Sequence, residues 1–170
     1  VFNVLSYPNL YHNLKAAVKG VCTSDDSPSA FYTDDRYGRE EMMRILRDKD
    51  YSALPVHMRL CAEEAYESML HSRDGQMCDI IIDRACLDAM EAEGKKSKDR
   101  IISDYAESVV DVTNIKVAVR AAKTKKSLEF LHKALAPCKA FDVRQLAQAA
   151  SSGEDALMDF LNSAGFAEAA

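Results

Sequence analysis

The residue types that could do chemistry are few, and most of them stand alone. His57, Cys61 and Glu64 fall at i, i+4 and i+7 on one helical face, a spacing that zinc ligands can use. The remaining ligands and the outer groups that would orient them are missing from the pattern, so a surface His beside a buried Cys is the expectation. Asp25, Asp26, Asp34 and Asp35 gather carboxylates suited to a hard cation. The Gly and Glu that a calcium-binding loop needs at its sixth and twelfth positions are not there, and an acidic solvated loop is expected instead. His12, His71 and His132 are scattered singly. Neither GxxxxGK[ST] nor GxGxxG occurs, so no loop is built to cradle a nucleotide phosphate. With no convergent nucleophile, base and charge-stabilising donor, the chain reads as a non-enzyme without cofactor or metal.

The strongest pattern is a repeat. Asn13-Leu14-Lys15-Ala16-Ala17-Val18-Lys19 returns as Asn114-Ile115-Lys116-Val117-Ala118-Val119-Arg120, at a constant shift of 114 − 13 = 101 residues. Polar and apolar positions shift together, which points to a duplicated helical unit. Asn is a poor helix-interior residue because its amide competes for backbone hydrogen bonds, so its presence in both copies needs a reason. The expectation is a buried amide tying two helices together. Lys15 and Lys19, like Lys116 and Arg120, are four apart and share a face. They read either as a solvated stripe over a core or as a repeated anchor for acidic groups.

The elements that must position these residues are helices. The chain has 170 residues, enough for one domain or two small ones, with no Trp, six Gly and four Pro. Its abundance of Ala, Leu, Met, Lys, Glu and Asp is that of a soluble helical protein. The most apolar segment, Cys78 to Cys86, is interrupted by Asp79, Asp83 and Arg84, and no run could cross a bilayer. No export signal is visible at the start, and both ends read as cuts through ongoing helices, so a central fragment of a longer protein is expected. Five cysteines without a CxxC pair argue against a disulfide framework and for a reducing, cytosolic setting.

Three- and four-residue spacing of Leu5, Leu10, Leu14, Ala17, Val18 and Val21 predicts a first helix ending near Gly20. A loop follows over 23–37. A short amphipathic helix over 39–47 comes next, and then a helix opened by Leu54-Pro55 and running to Ser72. After Asp74-Gly75, a helix over 78–93 is expected to bury Ile81, Ile82, Cys86, Leu87 and Met90 and to close at Gly94. A long helix over 98–122 would bury Ile102, Tyr105, Val109, Val112, Ile115 and Val119. Ser127 and Asp142 read as N-caps of two shorter helices, over 128–135 and 143–150, and a last helix starts near Gly153. The fold class is therefore all-α, with packed helical repeat units over residues 1–75 and 76–170. Leu54 and Leu157 are expected at comparable places in the last helix of each unit.

Charge is uneven. The formal net charge is −5, yet residues 95–126 carry nine Lys or Arg against four Asp or Glu. Lys95, Lys96 and Lys98, with Lys123, Lys125 and Lys126, supply most of that excess and form a candidate basic interface patch. Without interleaved aromatics it is poor support for nucleic-acid binding, and a protein surface or membrane headgroups suit it equally.

Three segments carry a family resemblance. Asp111-x-x-Asn114-Ile115-Lys116-x-x-x-Arg120, Asp50-Tyr51-Ser52-Ala53-Leu54-Pro55 and Asp79-Ile80-Ile81-Ile82-Asp83-Arg84-Ala85 occur in a telling order. That order resembles the C-type central-stalk family of V-type and archaeal-type rotary ATPases, whose eukaryotic vacuolar member is known as d. The first copy departs from the signature, with Leu10 where the second has Asp111. The resemblance implies an all-helical funnel of three related units around a pseudo-threefold axis. It further implies a non-catalytic central-stalk part for proton or sodium transport, cytoplasmic and peripheral to the membrane. Its partners would be the rotor axle and the membrane proteolipid ring of a V-type ATPase. The signature residues Asn13, Lys15, Lys19, Asp111, Asn114, Lys116 and Arg120 would then be structural or interface positions. The competing reading is a generic helical scaffold that binds some other protein.

Overall fold

The computed structural model describes residues 3–23, 30–33 and 36–166. The acidic residues weighed as a calcium loop, the first two residues and the last four lie outside that set. Within it the chain is all-α, without a strand. The helices are α1 (Asn3–Thr23), α2 (Arg39–Asp48), α3 (Val56–Ser72), α4 (Gly75–Lys96), α5 (Arg100–Lys123), α6 (Leu128–Ala134), α7 (Val143–Ser152) and α8 (Glu154–Ser163). No described helix is long and apolar enough to cross a membrane. The chain divides into two compact units, Val1–Ala89 and Met90–Ala170, and the division falls inside α4.

In the first unit α1 packs on α2 and α3. Its core includes Leu14, Ala17, Val18, Met42, Ile45, Leu46, Met58 and Ala62, all fully buried. A single 3-10 turn, Tyr51–Ala53, leads from α2 into α3. Pro55 is the N-cap of α3, so Leu54 and Pro55 precede that helix and do not open it. Leu54 is buried in the connector, outside any helix, and Leu157 is buried inside α8. The two residues are therefore not equivalent. In the second unit α5 packs on α6, α7 and α8 around Leu131, Leu146, Ala147, Leu157 and Leu161. Ser127 caps α6 by accepting from the Phe130 N–H, and Asp142 caps α7 by accepting from Arg144 and Gln145. Gly153, at φ +126, makes the break between α7 and α8 that a side chain would strain.

Helices α2 and α7 correspond at three buried positions. Met42, Met43 and Leu46 of α2 stand where Leu146, Ala147 and Ala150 stand in α7, and all six are buried.

Three further expectations are corrected. Gly20 does not end α1, which continues to Thr23, and it is buried within the helix. Gly94 does not close α4. It sits inside the helix because a Cβ there would come within 2.7 Å of the Ala106 Cβ, so its role is close packing and not termination. On α5 Ile102 and Ile115 are buried as expected, with Ala106, Val110, Asn114, Ala118, Ala121 and Ala122 beside them, while Tyr105 and Val112 are exposed. Ala106, Ala118, Ala121 and Ala122 are small enough to let the neighbouring helices approach, and they draw the buried face away from Tyr105 and Val112.

Candidate functional site

The two repeated asparagines are the only fully buried polar side chains among the described residues. Asn13 accepts from the Tyr32 N–H at 2.8 Å and donates to the Tyr32 carbonyl at 3.0 Å and the Tyr37 carbonyl at 3.2 Å. Asn114 repeats the arrangement, accepting from the Ala136 N–H at 2.9 Å and donating to the Ala136 carbonyl at 2.8 Å. Each amide thus grips both backbone groups of one non-helical residue, 19 positions on in the first unit and 22 in the second. The expected tie between two helices is replaced by a tie between a helix and a connector. The reason is supply: helix-interior backbone is already paired within its own helix, whereas an extended residue offers a free donor and acceptor side by side, as an amide requires. Tyr32 and Ala136 could not be foreseen because they take part through backbone alone.

The cations beside the asparagines differ between the copies. Lys15 pairs with Asp83 at 2.6 Å and Lys19 with Asp79 at 2.7 Å, so two lysines four apart on α1 meet two aspartates four apart on α4 in antiparallel order. The matched four-residue spacing of Asp79 and Asp83 was the signal for this pairing. In the second unit Lys116 and Arg120 are exposed, and neither side chain has an ion-pair partner among the described residues.

Asp111 is half-buried with its Oδ1 unpaired. Burial raises its pKa, and the Cys138 thiol beside it partly offsets the shift. Its counterpart Leu10 is buried in the core of the first unit. A carboxylate has therefore been placed where the other copy has an aliphatic side chain, and it is under-solvated there.

The basic residues do not form one patch. Lys95 and Lys96 end α4 and Lys98 follows them, whereas Lys123 ends α5 with Lys125 and Lys126 just beyond. The 24 residues of α5 separate the two groups by about 36 Å at 1.5 Å per residue. Lys95 is paired with Glu91 at 2.7 Å, and the Lys126 ammonium lies over the Phe130 ring.

His57, Cys61 and Glu64 are not drawn together as ligands. His57 Nδ1 is 2.9 Å from the Tyr11 hydroxyl and its ring lies against Tyr7, while the Cys61 thiol donates to the Met58 carbonyl. Among the described residues no group of three or more His, Cys, Asp or Glu is gathered as a metal ion would require. All five cysteines are free thiols, and burial pushes Cys61, Cys78 and Cys86 up to about 12. These are poor nucleophiles at neutral pH.

What this geometry offers is a body with its connectors clamped to its helices and charged stripes on its surface. No solved structure and no curated protein gives a significant match to the chain. The family described as ATP synthase (C/AC39) subunit matches residues 1–170, the whole sequence. The chain belongs to the ATP synthase (C/AC39) subunit family.

Proposed function

We propose that the chain is a non-catalytic central-stalk part of a rotary V-type ATPase or ATP synthase, joining the soluble rotor axle to the membrane proteolipid ring. The observation that carries this reading is the family match over the full sequence, in a chain whose described part is entirely helical. Torque transfer needs a body that does not yield, and close-packed helical cores have low compressibility. The Asn13 and Asn114 clamps add to this by fixing connectors that would otherwise be the softest parts of each unit. The two units are read as successive members of a pseudo-threefold set, and the protein as cytoplasmic and peripheral to the membrane. Of the basic groups, Lys95, Lys96 and Lys98 would meet one neighbour and Lys123, Lys125 and Lys126 another, since one acidic surface would have to span the length of α5 to hold both.

The test is a pull-down of the tagged protein from gently solubilised membranes, with co-purifying proteins identified by mass spectrometry. Recovery of proteolipid and axle proteins is expected. Their reproducible absence, while the same membranes yield an intact ATPase through another of its components, would leave only a helical adaptor.

A further inference from the structure

Three residues on one face of α5 reach the connector between α6 and α7. Glu107 pairs with Lys139, Asp111 lies within hydrogen-bonding reach of the Cys138 thiol, and Asn114 grips Ala136. Positions 107, 111 and 114 succeed one another by a helical turn, and their partners run backwards from 139 to 136, so the connector lies against the helix as a ladder of three rungs. The outer rungs are complete, but the middle one is not. A thiol has one proton, and Cys138 also offers its own to the Phe141 carbonyl at 3.6 Å. Asp111 Oδ1 is closed off from solvent without a hydrogen-bond partner. The chain itself covers that oxygen, so no molecule docking from outside supplies the missing bond. At the shift that relates the two copies Asp111 corresponds to Leu10, which is buried, so the first unit has an aliphatic side chain at this rung.

We propose that Asp111 is a proton-operated latch for the connector. Protonated, it lets residues 135–141 lie closed on α5. Ionised, its covered oxygen draws water between the helix and residues 136–139 and opens the ladder from its middle. The groups that face it favour the proton: Glu107 repels the carboxylate, and Lys139 is engaged with Glu107. Glu91 of α4 and Asp104 of α5 act on Lys139 and not on Asp111, and no described group of α6, α7 or α8 bears on it. The closed connector holds the proton more tightly than the open one, so the latch is shut at about pH 4 and loosens as pH climbs. This inference stands apart from the rotor-coupling reading, because it rests on the ladder and not on the family.

The test follows hydrogen exchange of the Ala136 N–H, which the Asn114 amide protects, in the whole chain by NMR, with each rate divided by that of an unstructured chain at the same pH. At neutral pH this amide is expected to exchange faster than the interior amides of α5 and to be indifferent to low urea, as a local opening requires. At about pH 4 the difference should be lost, with Ala136 slowing to the interior rate and taking on its urea dependence. Asp111→Asn should show the same loss at neutral pH. Asp111→Leu, which copies Leu10, supplies a second variant should the first fail to fold, and circular dichroism checks both. An Ala136 rate equal to that of the α5 interior in the unaltered chain at neutral pH overturns the proposal. Fast local exchange that persists at about pH 4, or that both variants leave unchanged, overturns it as well.

Discussion

Asn13 and Asn114 make the same clamp in unequal surroundings, and their loss should register unequally. Ala136 is buried, so Asn114→Ala strands a backbone N–H and carbonyl away from water. That substitution should cost about 2–4 kcal/mol. Tyr32 is 51% exposed, so water can take the place of Asn13, and Asn13→Ala should cost about 1–2 kcal/mol. Urea denaturation of the two variants checks both the size and the order. Asp111 behaves in the opposite sense. Its carboxyl is raised above the ordinary 3.8 by burial, so the folded state holds the proton more tightly than the unfolded state does. Its contribution to stability is fully present below 3.8 and is lost as pH climbs through the raised value. Asp111→Asn lacks that titration, so stability curves of the two proteins should diverge upward from about pH 4, with the variant the more stable. Asp111→Leu, which copies Leu10, should gain about 1 kcal/mol at neutral pH by removing an orphaned carboxylate oxygen. The thiols offer a third check. Cys61, Cys78 and Cys86 should alkylate with iodoacetamide at pH 8 far more slowly than in the urea-unfolded chain, because burial holds them protonated.

Among the elements, sequence periodicity located the helices well and their faces less well. The N-caps Ser127 and Asp142 were legible because capping is a local matter of one side chain and a few amides. The buried face of α5 was not, because a helix crowded with Ala, Val and Ile gives several plausible stripes, and only the neighbouring helices decide among them. Gly94 shows the same limit. Read locally it is a terminator; in the fold it is the contact point of α4 and α5. Gly94→Ala should therefore destabilise by about 1–3 kcal/mol through overpacking, well beyond any gain in helix propensity. Adding Ala106→Gly should return part of that loss, because the two side chains occupy the same space. Thermal unfolding of the two single variants and the double one tests this. The six basic residues at the two ends of α5 are a further case, since sequence adjacency to one helix says nothing of the distance between its ends.

Across the chain as a whole, the repeat announced a duplication, and the structure gives that duplication a physical content. In both units a helix-borne Asn holds a later connector, the one directly after α1 in the first unit and the one between α6 and α7 in the second, and a ten-residue helix with three matching buried positions recurs in each. What differs is the cover on the cationic stripe. That difference depends on Asp79 and Asp83 reaching Lys19 and Lys15 across 60 and 68 residues of chain, and their matched four-residue spacing was its one trace in the sequence. The family match sets the context of a rotary ATP synthase. A protein that transmits torque without taking part in hydrolysis should be separable from the ATPase activity, and ion pumping in membranes depleted of it reads that separation. ATP hydrolysis by the soluble head should persist while ATP-driven ion uptake is lost, and adding the protein back should restore uptake. Ion uptake that survives depletion undiminished would contradict the torque-transmitting role.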